Sequence, residues 1–173
     1  MTNLPKDNDW SKQFDSLDGL RRLIKNHHEF YPTISQNLQG IMPELLKLVE
    51  SLRSSVAKNA MITLAEMCEA FKKAMDPYLE SIFVKLFKKA QDANSFIVEE
   101  VRKCTVSLCT YCSTAKISPI IVTNSNAKAV PVKMKVALCI DKILEKYDYS
   151  HQLLKENPKI VGVMSNLIVD GSA

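Results

Sequence analysis

The chain has 173 residues, a formal net charge of +4, ordinary apolar content, only four glycines and five cysteines. That length buries a substantial core without a metal or disulfide staple, and the mild positive charge names no partner by itself. The opening MTNLPKDNDW has no apolar core segment and so does not read as a signal peptide, and no run approaches the roughly 18 apolar residues of a membrane span.

Residues 1–9 read as a polar lead-in containing Pro5. Asp9 is placed to cap a helix starting at Trp10, in which Phe14, Leu17, Leu20 and Ile24 share a stripe with Leu23 beside it. Gly19 lies inside that helix and predicts a close helix–helix approach; His27 and His28 end it. Residues 29–34 read as a connection. A helix is expected from about Ser35 to Glu50, with a kink or late start at Pro43. The short link at Ser51–Ser54 forces an antiparallel return. Ser54 or Ser55 is then placed to cap a helix running to about Lys73.

Asp76-Pro77 has the form of a helix start, an acidic cap followed by proline, and that helix reaches about Lys89. Asn94 or Ser95 caps the next helix, which runs to about Cys112. Ile117–Val122 reads as one or two helical turns, followed by a polar loop at 123–128. A helix follows from Ala129 or Pro131 to Lys146. Residues 150–157 form a short helix candidate, and Pro158–Val169 a last helix stopped by Asp170-Gly171.

The segments at 35–113 form two consecutive helix pairs, neither of which buries both apolar faces alone, so stacking is implied. The second helices start near 10, 55, 95 and 131, at spacings of about 45, 40 and 36 residues, the period of HEAT-type repeats. The reading is an all-α HEAT-repeat solenoid of about four repeats with partial edges. It forms one domain over 1–173, and both ends look cut from a longer array.

The turns of these pairs carry a family resemblance. Asp9-Trp10, with Leu17, Leu20, Arg21, Leu23 and Ile24, resembles the first tubulin-facing turn of a TOG domain. Leu52-Arg53-Ser54-Ser55-Val56-Ala57-Lys58-Asn59-Ala60 resembles the second, Asp92-Ala93-Asn94-Ser95-Phe96-Ile97 the third, Ala129-Val130-Pro131-Val132-Lys133 the fourth, and Asp170-Gly171-Ser172-Ala173 the start of a fifth. The likeness covers nearly the whole chain. It is strongest to the TOG domains of the cytoplasmic-linker-associated proteins and of crescerin, the ciliary TOG-array protein.

The resemblance implies a paddle-like array that holds αβ-tubulin or microtubules along the edge of its turns, in a cytoplasmic, cytoskeletal setting that includes the cilium, axoneme or basal body. Sibling TOG domains in a longer chain are also implied. By carry-over the contacts are Trp10 in the first turn and Arg53, Ser54, Ser55 and Lys58 in the second. They continue with Asn94, Ser95 and Phe96 in the third and Lys128, Lys133 and Lys135 in the fourth. The sequence departs from the family after Phe96-Ile97, where a basic residue is usual and Val98, Glu99 and Glu100 stand instead. The chain is also shorter than a six-repeat domain.

Other chemistry finds little footing. Cys109-Thr110-Tyr111-Cys112 has a C-x-x-C spacing without the second ligand pair a zinc site needs, so buried inert thiols are expected, with no metal and no cofactor. No glycine-rich phosphate loop, H-E-x-x-H or nucleophile elbow supports an enzyme. Basic residues interleaved with stacking aromatics, the mark of nucleic-acid binding, are absent. Glu99, Glu100, Arg102 and Lys103 read as surface ion pairs, and the lysines at 72-73 and 88-89 as helix-end cations. The rival reading is a HEAT or armadillo-type scaffold that binds another protein through its helical faces.

Overall fold

Apolar residues recurring every three to four positions give each helix one buried stripe, and these stripes have only one another to bury against. In the computed structural model, which describes residues 9–148, Lys155 and 158–169, they do so as two layers of helices. The readings at 1–8, at most of 150–157 and at 170–173 lie outside the described residues. The helices are α1 (Trp10–Asn26), α2 (Tyr31–Gln36), α3 (Leu38–Val49), α4 (Ser54–Phe71), α5 (Leu79–Lys89), α6 (Ser95–Tyr111), α7 (Thr114–Asn124), α8 (Val130–Lys146) and α9 (Pro158–Val169).

One layer is the succession α1, α4, α6, α8; the other is α3, α5, α7, α9. Within pairs, α3 packs on α4, α5 on α6 and α7 on α8. This is the expected HEAT-type arrangement, with second helices starting at Trp10, Ser54, Ser95 and Val130. The core runs between the layers through Met42, Leu45, Met61, Leu64, Phe83, Leu86, Leu108, Ile117 and Val136, all essentially inaccessible to water.

Several local expectations are corrected. The connection at 29–34 is itself helical, a 3₁₀ turn at His28–Phe30 running into α2. Tyr31 anchors this segment: its hydroxyl donates to the Ile24 carbonyl at 2.9 Å and its ring meets Phe71 at 5.2 Å. Pro43 sits inside α3 rather than starting it. The carbonyl it leaves without a helical donor, four residues back, belongs to the exposed Gln39. Gly19 marks no close approach, for a Cβ built there meets nothing within 4 Å. α4 is flanked by Arg53, and neither Ser54 nor Ser55 caps it.

Asp76-Pro77 does not start a helix; it lies in the 3₁₀ segment Lys72–Tyr78. Tertiary structure has claimed the Asp76 carboxylate, which accepts the Ser113 backbone N–H at 3.0 Å and so ties α7 to the preceding repeat. Ile117–Val122 belongs to a longer helix, α7, with Pro119 inside it. The lysines at the end of α5 also do more than complement a dipole. Lys88 donates to Glu50 at 2.8 Å and Lys89 to the Ser51 carbonyl, joining neighbouring repeats, and Lys89 also donates to Asp92 three residues on.

Candidate binding edge

The four second helices run parallel. At the α1–α4 seam, Arg53 at the start of α4 stacks over the Trp10 ring, 5.4 Å from its centroid. Further along, Arg21 grips Glu66 with two hydrogen bonds of 2.9 Å. At the α4–α6 seam, Asn94 donates to Ser54 Oγ at 3.4 Å, while the Cys68 thiol far down α4 pairs with Cys112. At the α6–α8 seam, Lys146 near the end of α8 donates to the carbonyls of Cys109 (3.2 Å) and Cys112 (2.8 Å) at the end of α6. Starts therefore meet starts and ends meet ends, and all four N-termini lie on one edge. Their unpaired N–H groups give that edge a positive bias.

Each turn on this edge has its own local cause. Asp9 caps α1 by accepting the Lys12 N–H at 3.3 Å, as expected, which presents Trp10 as the first helical residue, 44% exposed. Ser51 Oγ accepts the Arg53 N–H at 3.2 Å and shapes the second turn. The Asn94 side chain caps α6 by accepting the Phe96 N–H at 3.0 Å, as expected, and Asp92 in turn accepts the Asn94 N–H. This throws the Phe96 ring outward, 75% exposed. Pro131, in the first turn of α8, starts the fourth helix.

The expected site residues thus separate. Trp10, Arg53, Ser54, Ser55, Lys58, Asn94, Ser95 and Phe96 come together at the starts of α1, α4 and α6. Lys128 is exposed in the loop before α8 and Lys133 is partly exposed in its first turns. Lys135 is corrected: its side chain is buried against α6, where burial and then Arg102 push its ammonium below the ordinary lysine range. Glu100 is also corrected, being buried rather than a surface partner.

The edge has apolar members that sequence reasoning passed over. Leu52 is fully exposed at the tip of the second turn, and Val130 and Met134 stand exposed at the start of α8. Their signal was present for Leu52, a large apolar residue in a short polar link. Val130 likewise stood in the fourth-turn motif without being assigned a contact, whereas Met134 gave no signal, lying between the core positions Val132 and Val136.

The five cysteines are free and buried in α4, α6 and α8 or at the end of α6, as expected. The shared Cys112 hydrogen bond and burial push the Cys68 thiol well up, and burial pushes the Cys104 thiol up as well. Among the described residues no group of three His, Cys, Asp or Glu is arranged to hold a metal ion, and no helix is long and apolar enough to cross a membrane.

A two-layered array of helix pairs, with parallel second helices and turns collected on one edge, is a HEAT-type helical-repeat fold. The chain belongs to the CLASP N-terminal family, whose description matches residues 5–171. It is 29% identical over 151 residues to "TOG array regulator of axonemal microtubules protein 1" of Homo sapiens, a match covering 85% of this chain and 8% of the human protein. It is 30% identical over 109 residues to "Protein STU1" of Gibberella zeae, covering 61% of this chain and 10% of that one. An engineered protein of known crystal structure shares the fold at a TM-score of 0.60 and 17% identity, over 97% of this chain and 70% of its own. The chain spans a tenth or less of the curated relatives it matches.

Proposed function

We propose that the chain is a noncatalytic module of the TOG type that binds αβ-tubulin or microtubules along the edge formed by the starts of α1, α4, α6 and α8. The observation that carries this reading is the continuity of that edge: Arg53 stacked on Trp10, Asn94 bonded to Ser54 and Phe96 standing out beside them. Exposed aromatics on one edge with basic residues beside them suit a protein partner with an acidic surface, which tubulin has. Membership of the CLASP N-terminal family and similarity to a protein named for axonemal microtubules support the partner. The same similarity favours the crescerin type and a ciliary or other cytoskeletal setting. The residues assigned to contact are Trp10, Arg53, Ser54, Ser55, Lys58, Asn94, Ser95, Phe96, Lys128 and Lys133, with Lys135 set aside for its burial.

Each turn contributes weakly, so sibling domains on one chain would multiply the affinity through effective concentration. The test is co-elution of the chain with soluble tubulin on gel filtration, together with microtubule pelleting. Trp10→Glu and Lys133→Glu are each expected to weaken a binding wild type, Trp10→Glu by at least about tenfold, as befits an interface anchor. Indifference to both changes moves the interface to the helical faces and favours the scaffold reading.

A further inference from the structure

Glu100 is out of place for a solubility residue. It lies in the second turn of α6, close to the edge, yet is only 6% exposed. A buried carboxylate is costly unless cations attend it. Two do. Lys103, one turn along α6, donates to Glu100 Oε1 at 3.0 Å. Lys58 reaches the same oxygen across the α4–α6 seam, its Nζ at 3.7 Å. Lys58 is half exposed and belongs to the second turn's basic set, so an acidic partner and Glu100 compete for one ammonium group.

We infer that Glu100 is an internal counterion that withholds Lys58 from an acidic partner and holds the affinity of the edge below what its basic residues would otherwise give. The inference rests on the tubulin reading for the identity of the partner, but the hold on Lys58 does not. Glu99 provides the control built into the molecule. It carries the same charge one residue away, yet it is only partly buried and is engaged by Arg102 through bonds of 2.9 and 2.8 Å on its own helix rather than by Lys58. Removing Glu99 changes the charge of the edge without releasing the lysine.

The experiment compares wild type, Glu100→Gln, Glu99→Gln, Lys58→Ala and Glu100→Gln/Lys58→Ala, with circular dichroism to confirm the helical fold. The rate at which Lys58 is acetylated by a water-soluble N-hydroxysuccinimide ester is read by peptide mass spectrometry, and tubulin affinity is measured in parallel. Glu100→Gln is expected to raise the Lys58 rate at least about twofold and to tighten tubulin binding about two- to fivefold, the range of a partly exposed ion pair. Glu99→Gln leaves the Lys58 rate unchanged. The gain in binding disappears when Lys58 is also alanine.

Lys58→Ala is expected to cost more binding in the Glu100→Gln background than in the wild type, because Glu100 holds the lysine only in the latter. An unchanged Lys58 rate in folded Glu100→Gln overturns the inference. So does a gain in affinity that survives without Lys58, or a loss from Lys58→Ala as large in the wild type as in the Glu100→Gln background. Failure of every variant to bind tubulin overturns the proposed partner instead, and the acetylation rates still decide whether Glu100 holds Lys58.

Discussion

Lys72 ends α4 with φ of 48° and ψ of −116°, a conformation that glycine adopts freely and a residue with a Cβ does not. Gly19 is the reverse, a glycine inside a helix with open space where a side chain would go. The two positions predict paired gains. Lys72→Gly is expected to stabilise by about 1 kcal/mol through relief of strain, and Gly19→Ala by roughly 0.5–1 kcal/mol through restored helix propensity. Urea unfolding measures both, and a loss at Gly19 would mean that another helix approaches there after all. Neither residue was legible in the sequence. A mid-helix glycine does not disclose which face it occupies, and nothing in the composition around Lys72 shows that its backbone turns. Asn94 was legible because its cap is local, the acceptor and the N–H lying two residues apart. Asp76 was misread for the opposite reason, its carboxylate being spent on a backbone N–H 37 residues away.

Among the helices, the α1–α4 seam holds a polar network that bridges it. Asn59, nearly buried, accepts from Arg21 at 2.9 Å and donates to Asp18 at 3.1 Å, while Arg21 and Lys25 both serve Glu66. Burial pushes the Glu66 carboxyl up, but its hydrogen bonds to Arg21 and Lys25 outweigh burial, and it stays below its ordinary value of 4.5. A carboxyl depressed in the folded state contributes its full stability above the ordinary value and loses it as pH falls through the lowered one. Glu66→Gln is therefore expected to cost about 1–3 kcal/mol near pH 7, with the gap to wild type narrowing steadily below about pH 4.5. Thermal unfolding across that range measures it, and a gap that does not change with pH removes Glu66 from the account. The apolar stripes of α1 and α4 could be read from their period. The network could not, because its partners are 45 residues apart and each looks like an ordinary surface charge.

At the scale of the molecule, core and edge are separable. Phe83 is wholly buried between the layers, and Phe83→Ala is expected to cost about 3–5 kcal/mol. Phe96→Glu removes a ring that is mostly in water and should shift stability by no more than about 0.5 kcal/mol, while on the proposed function it weakens tubulin binding. Chemical denaturation beside the binding assay tells loss of contact from loss of fold; a large destabilisation by Phe96→Glu would show that the ring supports the array. The order of helices and their repeat of about 40 residues were readable because both are periodic in one dimension. The make-up of the edge was not, since it depends on which residues meet across seams.

The parallel course of α1, α4, α6 and α8 also makes the molecule a ruler. Packed helices stand about 8–10 Å apart, so the four turns are graduations along roughly 30 Å, each fixed by the seam below it. Arg53 on Trp10 and Asn94 on Ser54 lock neighbouring graduations together. A partner is then measured as well as touched. Inserting or deleting one helix pair would displace every mark beyond it by one interval, and a surface that matched four would meet those on one side of the change only.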